Sequence, residues 1–116
     1  MTVEEHLIAI LAEEGVEVSH QCCKALRFGM GDVYVDTTVE EKLVGELNDL
    51  IAVADMLAAR GLIRRNWACS KLQAAKVMKV TEFLKYSRAA GTRGRTHRSA
   101  ATTTATNDSY RNPAPC

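Results

Sequence analysis

Residues 7–18 read Leu-Ile-Ala-Ile-Leu-Ala-Glu-Glu-Gly-Val-Glu-Val, an apolar run with acids set into it. Leu7, Ile10, Leu11, Val18, Cys22 and Ala25 recur with a helical period, not the alternation of a strand. Thr2 followed three residues later by Glu5 is a capping box that opens this helix, and Gly29 and Gly31 close it. Gly15 inside the pattern costs about 1 kcal/mol relative to alanine and is tolerated. A helical residue advances about 100° around the axis, so Glu14 projects about 20° from Leu7. Glu17 lies beside Ile10 in the same projection, and Glu13 lies nearer the polar edge. These carboxylates stand where the helix should be greasy.

The pattern repeats downstream. Thr38-Val-Glu-Glu41 is a second capping box, after a loop of about eight residues from Gly29 to Asp36. Val39, Leu43, Leu47, Leu50, Ala54 and Leu57 carry a second helix to Gly61, a good residue for a helix C-terminus. Glu46 projects between Val39 and Val53, inside the apolar arc, with Asp49 one step outward. A third helical pattern runs from about Trp67 to Arg88. The expected fold class is all-α: a helical domain over residues 1–90, followed by a flexible, basic, Thr/Ala-rich tail over 91–116.

Composition narrows the function classes. The 116 residues carry 15 Lys plus Arg against 14 Asp plus Glu, a net charge of +1. Residues 1–55 hold 12 of the acids and 3 of the bases, so the two halves have opposite sign. Aromatic residues are 5%, too few for a stacking platform along single-stranded nucleic acid, and no stable nucleic-acid partner is expected. No apolar run reaches the 18 or so residues of a membrane span, and the acidic start Thr2-Val-Glu-Glu5 lacks the basic region of a signal peptide. A cytoplasmic location is the expectation. Cys22, Cys23, Cys69 and Cys116 form no CxxC pair and are read as reduced.

A carboxylate in a low-dielectric interior costs several kcal/mol unless it is neutralised, paired or metal-bound. Glu14/Glu17 and Glu46/Asp49 are each spaced i,i+3, which puts both acids of a pair on one face. Packing the two helices together would bring four acids toward one point, and a divalent cation is the natural occupant. Lys76 and Lys79 fall on the apolar stripe of the third helix. Two readings stay open for them: stems that cover the core while the ammoniums reach water, or a pair of cations aimed at an anion.

The spacing Glu13-Glu14-x-x-Glu17, 28 intervening residues, then Glu46-x-x-Asp49 resembles the EExxE…ExxD signature of the MazG-like, all-α nucleoside triphosphate pyrophosphohydrolases. Cys23-Lys-Ala-Leu-Arg-Phe-Gly29 and the run from Lys76 to Ser87 are similar to the small phage members, the cyanophage MazZ type. Asn48 departs from the family in standing where many members have glycine before the aspartate. The resemblance implies a helical homodimer or homotetramer. It further implies Mg²⁺ or Mn²⁺ on Glu14, Glu17, Glu46 and Asp49, with Glu13 helping to position metal or polarise water. Lys76, Lys79 and Lys24 would hold the phosphates, and Asn48 could reach the base. The implied reaction takes a nucleoside triphosphate, dGTP or GTP, to its monophosphate with release of pyrophosphate or phosphate. The other reading is a non-catalytic helical interaction module whose acids hold a structural cation.

Overall fold

The computed structural model describes residues 1–89, so the tail expected over 91–116 lies outside the described residues. Within them the fold is helical, in the order α1 (Val3–Phe28), β1 (Val33–Tyr34), β2 (Thr37–Thr38), α2 (Val39–Ala59) and α3 (Ser70–Ala89). The chain divides into two compact units, one spanning Met1–Arg65 and a second starting at Asn66.

The first unit is a helical hairpin. Both capping boxes form: the Thr2 hydroxyl accepts from the Glu5 amide while the Glu5 carboxylate accepts from the Thr2 amide, and Thr38 and Glu41 do the same. Each box satisfies two backbone donors that a helix N-terminus leaves without partners. At the end of α2, Gly61 takes φ 76°. The Gly61 amide donates to the Ala58 carbonyl and the Leu62 amide to the Leu57 carbonyl, the paired bonds of a Schellman motif. Arg60 reaches back to Glu4 at 3.1 Å, joining the end of α2 to the start of α1. The helices therefore run antiparallel, and their seam holds Leu7, Val39, Val53 and Leu57, the last only 2% exposed.

The segment expected as a plain loop carries a small β-hairpin instead. Val33 pairs with Thr38 and Tyr34 with Thr37, antiparallel, around a two-residue turn. Val35 (φ 50°) and Asp36 (φ 64°) both occupy the left-handed region that such a turn demands. Neither is the Asn or Gly that signals the turn in a sequence, and β-branched Val35 is a strained choice.

In the second unit α3 starts at Ser70, three residues after the expected Trp67; the Gln73 amide donates to the Cys69 carbonyl at its first turn. No residue of α3 is buried, and Leu72, Met78, Phe83 and Tyr86 present large apolar surfaces. Cys22 and Cys23 are free, as expected, and both are exposed, although the sequence period places Cys22 on the apolar stripe of the first helix; Gln21 is buried there in its stead. Cys69 is disulfide-bonded, which corrects the reading of four reduced thiols. A disulfide requires only that two Cβ atoms approach, which spacing along the chain does not encode. No helix among the described residues is long and apolar enough to cross a membrane.

Val35 is 75% exposed, so replacing it loses little packing. A left-handed conformation costs most L-residues about 1–2 kcal/mol, and asparagine less. Val35→Asn should therefore raise unfolding stability by about 1 kcal/mol, measured by urea denaturation. Lowered stability would show that the valine side chain is held by something beyond the turn.

Candidate functional site

The α1–α2 seam places the acids. Glu14 lies seven residues after Leu7 and Glu46 seven after Val39, so each repeats the position of a buried aliphatic residue two turns away. Packing those stripes against each other brings one carboxylate oxygen of each of Glu14, Glu17 and Glu46 within 4.8 Å of the others. Glu14 and Glu46 are half-buried and Glu17 is exposed, so the cluster opens to solvent on one side. Asp49 is exposed one turn beyond Glu46, within electrostatic reach of Glu17 but outside the tight group. Three of the four expected ligands are assembled.

The cluster is electrostatically unsatisfied. Glu17 holds its proton above the usual glutamate range, first through a hydrogen bond to the Glu46 carboxylate and then through that group's charge; desolvation, Glu14 and Asp49 add to it. Oε2 of Glu14 is buried with no hydrogen-bond partner. Beside it, Gln21 is 6% exposed, donates Nε2 to Glu46 Oε1 at 3.4 Å, and leaves its own Oε1 buried and unpartnered. Buried oxygens without donors are costly in a dry site and are the natural ligands of a hard cation. The donor set is oxygen throughout, as Mg²⁺ or Mn²⁺ prefers. These residues fit a divalent cation.

The remaining candidates are dispersed. Glu13 is exposed, adjacent to Glu14 in the chain and outside the tight group. Asn48 is exposed, and its Nδ2 donates to the Val44 carbonyl at 2.7 Å on its own helix. Lys24 is half-buried and lines a cavity beside the β-hairpin. Lys76 and Lys79 are fully on the surface of α3, in the second unit, and neither lies on a buried stripe. The apolar residues around them in projection, Leu72, Phe83 and Tyr86, are exposed as well.

Gln21 was not singled out from the sequence. The available signal was its position, seven residues beyond Glu14, which makes it a second polar residue on the buried stripe of α1.

The raised proton affinity of Glu17 has a stability consequence. A carboxyl that binds its proton more tightly when folded contributes stability below the ordinary glutamate pKa, and loses it as pH rises through the folded value. In EDTA, Glu17→Gln should therefore melt above the parent protein at about pH 8, with the difference shrinking as pH falls to about 4. A pH-independent difference between the two melting curves would show that the acids do not repel.

Compared with protein-family models, curated proteins and solved structures, the chain matches none.

Proposed function

We propose that the chain is a divalent-metal-dependent hydrolase that converts a nucleoside triphosphate to its monophosphate, a pyrophosphohydrolase of the MazG-like kind. The observation that carries this reading is the buried, unpartnered Oε2 of Glu14 within a three-carboxylate group on two packed helices. Such an oxygen is wasted in a structural seam and useful in a cation site. Glu14, Glu17 and Glu46 would hold Mg²⁺ or Mn²⁺, with Asp49 reaching in from the adjoining turn. Bound there, the cation supplies charge neutralisation at phosphate oxygens and lowers the pKa of a water.

The protein's own groups do the rest. Gln21 fixes the Glu46 carboxylate through its Nε2, so one ligand is oriented before anything binds. Glu13, exposed beside the cluster, is free to accept a proton from the attacking water. Lys24 would offer the substrate a cation from α1, and the resemblance assigns Lys76 and Lys79 of α3 to the phosphates. In an oligomer that third helix can come from a second copy. The exposed apolar residues of α3, with Ile8, Val16, Val44 and Ile51 on the outer sides of α1 and α2, support a helical homo-oligomer. The choice of dGTP rests on the likeness to the small phage enzymes.

Two measurements test this. Metal-free protein titrated with Mn²⁺ should bind it, and pyrophosphate or phosphate should be released from dGTP only when Mg²⁺ or Mn²⁺ is present. Glu14→Gln and Glu46→Gln should each lower kcat/KM by at least about 100-fold, equivalent to about 2.7 kcal/mol, while circular dichroism stays helical. Full turnover in both variants, or hydrolysis in EDTA, would remove the acids from the reaction.

A further inference from the structure

The β-hairpin and the ends of α1 and α2 that flank it enclose a cavity of about 200 Å³ lined by Lys24, Phe28, Asp32, Tyr34 and Lys42. Two of the chain's six aromatic residues, Phe28 and Tyr34, line it. Both are held out rather than packed away: Phe28 is 63% and Tyr34 70% exposed. The Lys42 ammonium lies 5.0 Å from the centre of the Tyr34 ring, which fixes a cation against one aromatic face. Asp32 is anchored through its backbone, whose amide donates to the Gly29 carbonyl at 3.3 Å and whose carbonyl accepts from the Val39 amide at 3.0 Å. Its carboxylate therefore belongs to a fixed loop. The turn that presents Tyr34 is the strained one, with two non-glycine residues at positive φ.

The cavity shares a face with the acids. Lys24 lies seven residues beyond Glu17 on α1, and Lys42 seven before Asp49 on α2. Seven residues are two helical turns, so each lysine stands about 10 Å along its helix from its acid and within about 20° of it around the axis. A ligand with its phosphates at the carboxylate cluster would run its sugar along the seam and bring its base to the hairpin.

We propose that this cavity is the base-recognition pocket and that Asp32 makes it selective for guanine. The proposal rests on the hydrolase reading for the phosphate end alone. Phe28 and Tyr34 provide stacking faces, which any base accepts. The polar groups discriminate. A carboxylate accepts from two adjacent N–H donors, and among the common bases guanine alone offers such a pair, N1–H beside its 2-amino group. Its opposite edge carries O6 and N7, both acceptors, for the ammoniums of Lys24 and Lys42. Adenine has no N1–H for Asp32, and the pyrimidines present one donor group with acceptors beside it.

The test separates the base from the phosphates by using dGMP, in EDTA, on the full chain. NMR titration should shift the resonances of Phe28, Asp32, Tyr34 and Lys42 most. dGMP should bind at least about tenfold tighter than dIMP, which lacks the 2-amino group. Asp32→Asn should bring the two within about twofold of each other, while Tyr34→Leu should weaken both alike by about tenfold. Shifts confined to other residues, or an unchanged dGMP-to-dIMP ratio in Asp32→Asn, would overturn the pocket even if dGTP is hydrolysed. Asp32-dependent dGMP binding at the hairpin, with no triphosphate hydrolysed in any metal, would uphold the pocket and overturn the hydrolase.

Discussion

The mutual repulsion of Glu14, Glu17 and Glu46 is the constraint around which the first unit is built. Leu7, Leu11, Glu14, Val18, Gln21 and Ala25 on α1, and Val39, Leu43, Glu46, Leu50, Val53 and Leu57 on α2, follow alternating steps of four and three residues. That is the spacing of a helix–helix seam. Nine of those twelve positions are aliphatic, and the three polar ones lie toward the middle of the hairpin. Aliphatic residues at all twelve would give a more stable seam, since buried charge rarely returns its desolvation cost. The polar positions do give register: the Gln21–Glu46 hydrogen bond forms in one alignment of the helices and is lost in any other. Caps at both helix starts, the Schellman motif after α2 and the Glu4–Arg60 ion pair fasten the rest of the unit around this weak centre.

The second unit poses the opposite problem. α3 has an apolar face and no carboxylate trap; its lone acid is Glu82. A single helix of this length is marginal in water without tertiary packing, and the apolar residues of α3 remain exposed in the chain. An oligomer of the proposed kind answers that deficit and also relates the charges. The acids concentrate in residues 1–55 and most bases follow them, so a helix lent by one copy would carry lysines toward the carboxylates of another. Charge complementarity of this sort sets which faces meet more than it sets affinity.

The helical elements were legible because their signals are local. Thr2/Glu5, Thr38/Glu41 and Gly61 each specify a helix end through groups three or four residues apart, and the structure uses all of them. The inward acids were legible for the same reason, because projection around one axis needs no knowledge of the partner helix. What was lost depends on approach between distant parts of the chain. Gln21 becomes part of the site only when α2 lies across it. The disulfide of Cys69 leaves no mark in cysteine spacing. For Lys76 and Lys79, whether the face of α3 that carries them is a core or a surface is decided by what covers it, which projection around one helix does not tell.

The β-hairpin shows why a segment can escape a sequence reading and still matter. Its turn places Val35 and Asp36 where glycine or asparagine would sit without strain, so the ordinary signal is missing. The two-strand ladder is too short to hold such a turn by itself. The remaining support comes from the helices it joins, through the Val39 and Glu40 amides, which donate to the Asp32 and Met30 carbonyls. The conformation is thus imposed from outside, which is how strained residues persist in folded proteins. The result is an exposed ring at Tyr34 beside Lys42, aligned with the acids by the same two-turn spacing that builds the seam. One helical period orders the core and the acid cluster, and it also brings the hairpin cavity onto their face.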